Sequence, residues 1–162
     1  MKYIKALPLV LLAIVMILNA ESDKFMSHAT EINGMEVMEP WARERPANAM
    51  MGGAFLTLKN SEGEADRLVS ASSPVADKVE IHDSVMKDGV MSMMRIEELV
   101  VEPGETVMLK PGGFHVMLMG LKKPLTKGTE FPLTLNFARA GEITVTVHVK
   151  DAGDMGATHK HN

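Results

Sequence analysis

The chain closes with two segments in which apolar and polar residues alternate. Residues 142–150 read EITVTVHVK, and residues 131–137 read FPLTLNF, so apolar side chains recur at every second position in both. Successive side chains of a β-strand point to opposite faces, so a period of two predicts strands that bury one face. Outside the first twenty residues, no segment shows a helical stripe of comparable clarity. The pattern therefore favours an all-β fold.

Turn signals divide the rest of the chain into short pieces. They contain Gly, Pro, Asn, Asp or Ser and lie at residues 59–63, 72–74, 87–89, 102–104, 111–113, 127–128 and 140–141. Seven to nine short strands at this spacing predict a β-sandwich or a Greek-key barrel. With 162 residues, 46% of them hydrophobic, the chain is long enough for one domain with its own core, whereas two domains would be cramped.

The first twenty residues predict a secretory signal peptide. Lys2 and Lys5 precede an apolar run over residues 6–18, and a polar stretch follows Ala20. The run is shorter than the roughly 20 apolar residues that a membrane span requires. Because Leu18 is bulky at the third position before the expected cleavage site, an uncleaved membrane tether is the alternative. No cysteine follows that site, which argues against a lipid anchor.

The chain that would remain after cleavage of this leader is acidic and contains no cysteine. Without residues 1–20 it has 15 basic and 21 acidic residues, a net charge of −6, which does not suit a nucleic-acid partner. An exported protein without cysteine has no disulfides, no thiolate nucleophile and no blue-copper centre. We expect a flexible segment at residues 21–33, a domain at 34–150 and a flexible tail at 151–162.

Methionine is the most unusual component of the sequence, with 15 residues, 13 of them after the predicted leader. Methionine fills irregular gaps in protein cores, which accounts for Met35 and Met38 and could extend to Met50, Met51 and Met108. It accounts poorly for the middle of the chain. There, six methionines lie close in sequence to His82 and His115: Met86, Met91, Met93, Met94, Met117 and Met119.

Strand geometry brings several of these donors to common faces. In residues 115–119, HVMLM, alternation places His115, Met117 and Met119 on one face, with neighbours about 7 Å apart. His82 is expected at the end of a strand, opposite to the inward-facing Ile81, and Met91 shares a face with Met93. Imidazoles and thioethers add no negative charge, and thioether sulfur is a soft donor that favours Cu(I) over zinc, magnesium or calcium.

The spacing of four of these residues resembles a family signature. Ten residues separate His82 from Met93, twenty-one separate Met93 from His115, and one separates His115 from Met117. This is similar to H(M)x10Mx21HxM, the signature of the PCu(A)C family of periplasmic copper chaperones; the optional methionine after the first histidine is replaced by Asp83. The stretches WAR (41–43), DRL (66–68), DGVM (88–91) and PGGFHVML (111–118) also look like family sequence, and the similarity covers about residues 34–150.

The resemblance implies a cupredoxin-like β-sandwich that binds Cu(I) at a solvent-accessible site and catalyses no reaction. It implies four ligands, His82, Met93, His115 and Met117, with Met91 or Met94 as alternatives to Met93 and with Met119 in the wall of the site. The implied role is delivery of copper, by a monomer, to the binuclear copper centre of cytochrome c oxidase, to another exported copper protein or to another periplasmic copper chaperone. A copper-buffering or resistance protein without a dedicated acceptor is the alternative.

The C-terminal tail contains a second group of donors. Met155, His159 and His161 lie within a polar stretch that resembles the His- and Met-rich tails of some family members, and His-rich tracts often bind metal. We expect a weak accessory Cu(II) site there, with an idle polar tail as the alternative.

Overall fold

The computed structural model describes residues 29–151, and every regular element in this part is a β-strand. The predicted signal peptide and the donors of the tail lie outside the described residues. The eleven strands are β1 (Thr30–Ile32), β2 (Met35–Arg43), β3 (Met51–Asn60), β4 (Asp66–Ser72), β5 (Ala76–Lys87), β6 (Val90–Ile96), β7 (Leu99–Val101), β8 (Thr106–Leu109), β9 (His115–Leu121), β10 (Glu130–Phe137) and β11 (Gly141–Lys150). The all-β prediction is confirmed.

The strand count exceeds the predicted seven to nine because three strands have only three or four residues. These are β1, β7 and β8. β1 pairs with β2, so the sheet already begins at Thr30, inside the segment 21–33 that the sequence predicted to be flexible. Between residues 29 and 151 there is no helix with the length and apolar character to cross a membrane.

The strands form one continuous sheet that folds over on itself. Its order is β6-β5-β9-β3-β2-β11-β10-β4-β7, with β1 added to β2 and β8 added to β3. All pairs are antiparallel except β2 with β11, which is parallel. β4 and β5 are far apart in this order, yet they contact each other. The two ends of the sheet therefore face each other, which gives the predicted β-sandwich.

The core lies on the inner face of the folded sheet. The apolar residues of β10 and β11 that alternate in the sequence are all buried, and on β9 Val116 and Leu118 are fully buried. These side chains belong to a single hydrophobic cluster that also includes residues of β2, β3 and β4. The alternation in the sequence thus predicted correctly which face of these strands points inward.

β3 changes partners along its length. Its first part, from Met51 to Ala54, pairs with β9, and its second part, from Leu56 to Lys59, pairs with β8. Gly53 is the register partner of Met117. The start of β3 therefore runs beside the part of β9 that carries the predicted ligand Met117.

β5 and β6 form a hairpin that extends beyond the rest of the sheet. Asp88 and Gly89 connect them with positive φ angles of 51° and 79°, as a tight I′ turn requires. The sequence predicted this turn. β5 pairs with β9 only as far as His82, and from there to Lys87 its one ladder is with β6. The residues after His82 therefore form a two-stranded projection beside the site described next.

Candidate metal centre

The two histidines of the predicted site are neighbours on adjacent strands. His82 is the register partner of His115, and their ring centroids are 5.9 Å apart. His115 is 5% exposed. His82 lies in the middle of β5 and not at a strand end as predicted, because β5 continues into the hairpin. The sheet has thus joined two histidines that are 33 positions apart in the sequence.

Each ring is oriented by one hydrogen bond. Nε2 of His82 lies 2.8 Å from Oε2 of Glu80, and Nδ1 of His115 lies 2.9 Å from the carbonyl oxygen of Gly113. A carboxylate and a carbonyl only accept hydrogen bonds, so both of these ring nitrogens carry the proton. In the neutral rings, the lone pairs are then on His82 Nδ1 and His115 Nε2.

These two remaining nitrogens are buried and have no hydrogen-bond partner. A buried polar atom without a partner is costly, so such an atom in a native site calls for an explanation. A metal–nitrogen bond of about 2.0 Å puts an imidazole centroid about 3 Å from the ion, so two rings on one ion have centroids roughly 5–6 Å apart. The observed 5.9 Å fits that range.

Met93 and Met117 face a cleft beside His115. The cleft has a volume of about 310 Å³, and its walls also include Phe55 and Ser84. Met93 is the register partner of Ser84 on β5, and Met117 is that of Gly53 on β3. Two imidazoles and two thioethers are thus brought to one region by β3, β5, β6 and β9.

The positions of the other methionines separate the alternatives to Met93. Met94 pairs with Asp83, so it lies on the opposite face of β6 from Met93, and Met91 pairs with Met86 farther out on the hairpin. Met119 was expected in the wall of the site. Its register partner Met51 lines the cleft instead. Met93 is the β6 methionine that lines the cleft.

The interpretation of several methionines as core residues is only partly correct. Met35 is buried, as predicted. Met50, Met51 and Met108 are exposed, so they fill no gap in the core.

Glu80 is part of the site, although it was not among the residues predicted from the sequence. Its carboxylate contacts Lys78 Nζ at 2.6 Å, His82 Nε2 at 2.8 Å and Arg95 Nε at 3.5 Å. The hydrogen bond from Lys78, then that from His82, lowers the pKa of Glu80 from 4.5 to about 2. A signal was present, because Glu80 lies two positions before His82 and hence on the same face of the strand.

The donor types at this site are nitrogen and sulfur. Within residues 29–151, no three His, Cys, Asp or Glu side chains are grouped so that they could hold a metal ion. Fold and site together define a β-sandwich domain with paired imidazoles and thioethers at one edge.

The chain belongs to the LpqE-like family, which is the PCuAC family, since residues 35–149 match its family model. It is similar to the protein Lxx21020 of Leifsonia xyli subsp. xyli, with 33% identity over 131 residues, which cover 80% of this chain and 78% of the relative. It is also similar to RP573 of Rickettsia prowazekii, with 30% identity over 119 residues, which cover 69% of this chain and 64% of that protein.

Solved structures of PCuAC domains resemble this one. The copper-bound PCuAC domain from PmoF2 superimposes with a TM-score of 0.67 and 25% identity, over 76% of this chain and 98% of that domain. The Cu(I) form of DR1885 from Deinococcus radiodurans gives a TM-score of 0.54 and 27% identity, over 76% of this chain and 80% of DR1885. The fold is therefore cupredoxin-like, as the resemblance implied.

Proposed function

We propose that this protein is an exported metallochaperone that binds Cu(I) through His82, Met93, His115 and Met117. The observation that carries the proposal is the pair of buried ring nitrogens without partners, His82 Nδ1 and His115 Nε2, next to a cleft lined by both methionines. The copper-bound PCuAC domains that resemble this chain support the choice of metal.

The chemistry of the donors favours the cuprous ion. Thioethers are soft ligands, which suit Cu(I) better than zinc or magnesium. Arg43 and Arg45 also line the cleft, and Arg45 donates from Nε to the carbonyl oxygen of Met51 at 2.9 Å. The ligands are neutral and two guanidinium groups line the cleft. The nearby carboxylate of Glu80 is already paired with Lys78 and Arg95, so it offsets little of the charge of the ion. A monovalent ion is less destabilised by such surroundings than a divalent one.

The geometry also suits a carrier that releases its ion. Met93 is 56% exposed and belongs to the hairpin strand at the edge of the sheet. Ligand exchange with a partner can therefore begin at Met93 while the less exposed histidines still hold the ion. The proposed protein binds copper without turnover, is carried to the periplasm by residues 1–20 and delivers Cu(I) to the binuclear copper centre of cytochrome c oxidase or to another exported copper protein.

Mixing the Cu(I)-loaded chain with the apo copper domain of an oxidase subunit is expected to move copper to that domain. The acceptor offers thiolates, which bind Cu(I) more strongly than neutral thioethers do. After reoxidation, the visible absorption of the binuclear centre reports the transfer, and the chain without copper is the control. Retention of the ion by the chain would instead favour a copper-buffering role.

Replacing Glu80 with glutamine is expected to weaken Cu(I) binding by about 10- to 100-fold, the usual effect of losing a partner that orients a metal-binding histidine. Glutamine keeps the shape of the side chain, but its amide can donate a hydrogen bond as well as accept one. The residue at position 80 then no longer requires the proton to be on Nε2 of His82. A Cu(I) competition titration measures the affinity, and the ¹⁵N shifts of the His82 ring report its tautomer. The control is Glu36→Gln, which removes a surface ion pair with Lys59. An unchanged tautomer in Glu80→Gln would contradict the orienting role.

A further inference from the structure

Two methionines outside the proposed ligand set face each other near the tip of the β5–β6 hairpin. Met86 and Met91 are register partners, one residue pair away from the Asp88–Gly89 turn. In a hairpin with a two-residue turn, the pair next to the turn is hydrogen-bonded and the following pair is not. Residues in such a non-hydrogen-bonded pair have Cα atoms about 4.5 Å apart and side chains on the same face. The two thioethers are therefore close enough to contact one ion.

This pair lies on the face of the hairpin that carries the proposed copper site. Met86 follows Ser84 by two residues and Met91 precedes Met93 by two, so all four side chains point to one side of the sheet. Ser84 and Met93 line the cleft. An ion between Met86 and Met91 would thus lie next to Met93 along the strand, at a spacing of about 7 Å.

Both side chains are open to solvent. Met86 is 64% exposed and Met91 is 51% exposed. Burial in the core thus explains neither of them, because at least half of each side chain remains in contact with water. Two neutral sulfur donors on one register pair favour a soft monovalent cation. The other ligand positions of that ion remain accessible to solvent or to a copper donor.

We infer that Met86 and Met91 form a second Cu(I) site, weaker than the proposed His/Met site and located on the solvent side of Met93. Binding at this pair does not depend on the assignment of His82 and His115 as ligands. The ligand class is a soft monovalent metal ion.

Titration of the full chain with Cu(I) under anaerobic conditions, followed through ¹³C-labelled methionine methyl groups, tests the second site. The Met93 and Met117 signals are expected to shift during the first equivalent, and the Met86 and Met91 signals during the second. Met94, on the opposite face of β6, and Met108, on β8, are expected to keep their positions. Because Met155 has its own signal, binding by the tail is observed separately.

The variant Met86→Leu/Met91→Leu is expected to lose the second step and to keep the first. Leucine conserves the volume, so the hairpin is retained. Met94→Leu, which removes an exposed methionine from the same strand, is the matched control and is expected to keep both steps. Shifts of Met86 and Met91 that persist in His115→Ala separate this site from the main one. If these two signals do not move up to two equivalents, or move only when a protein partner is added, the second site does not exist.

Discussion

His115→Ala and Met117→Leu are each expected to lower the affinity for Cu(I) by more than about 100-fold, since losing a ligand costs more than losing a partner that orients one. His115 provides a buried lone pair on Nε2. Met117→Leu removes the sulfur and nearly conserves the volume, so the β9 ladder remains intact. Competition with a Cu(I) chelator measures the affinity, and circular dichroism of each variant reports whether the fold is kept.

Matched controls come from the same residue types elsewhere in the sheet. His148 lies on β11, where its Nδ1 contacts Oε1 of Glu130 at 2.9 Å, and Met108 is exposed on β8. His148→Ala and Met108→Leu are expected to bind Cu(I) as the unaltered chain does. Unchanged affinity in both His115→Ala and Met117→Leu would show that the ligand assignment is wrong, whatever the controls give.

Local patterns in the sequence predicted the faces of the strands. The alternation in β10 and β11 gave the buried side chains correctly, as did the alternation over residues 115–119 on β9. The turn at Asp88–Gly89 was also predictable, because Asp-Gly is a preferred pair for the two positive φ angles of a tight hairpin turn, which both residues adopt. These features depend only on neighbours along the chain, which a single sequence contains.

Long-range pairing was not readable in the same way. His82 directly follows the inward-facing Ile81, so its own face of the strand was predictable. No local pattern shows that β5 pairs with β9 in the register that places His82 opposite His115. The family spacing pointed to these residues, whereas only the sheet shows how they meet. Glu80 had a local signal, its position two before His82. Its contact with Arg95 required the β5–β6 register.

The residue type of a methionine does not show whether it lies in the core. Hydrophobicity suggested the core for Met50, Met51 and Met108, but all three are exposed. A methionine side chain is apolar enough for the core, and its thioether sulfur can also bind a metal ion. The residue type alone therefore does not distinguish a core residue from a ligand. The surrounding register decides it, as the contrast between the buried Met35 and the cleft-lining Met93 shows.

Asp66→Ala is expected to lower the free energy of unfolding by about 3 kcal/mol, because it leaves buried backbone donors without an acceptor. Asp66 begins β4 and is buried. Its Oδ1 accepts from the backbone N–H of Arg139 at 2.8 Å, and its Oδ2 accepts from that of Ala140 at 2.9 Å. A further bond to Oδ1 comes from the N–H of Arg67 at 2.7 Å. The carboxylate thus holds the β10–β11 turn against the start of β4.

Denaturant unfolding measures this loss, and Asp77→Ala is the control. Asp77 is an exposed aspartate that faces Lys122 at 3.6 Å, so its replacement is expected to change stability by less than about 0.5 kcal/mol. Because the carboxylate of Asp66 binds the β10–β11 turn and none of the proposed ligands, the folded Asp66→Ala variant should bind Cu(I) as tightly as the unaltered chain. Equal stability of the two variants would show that the three hydrogen bonds to Asp66 are replaced by water without cost. A loss of Cu(I) affinity in the folded state would instead show that the β10–β11 turn and the metal site are coupled through the sheet.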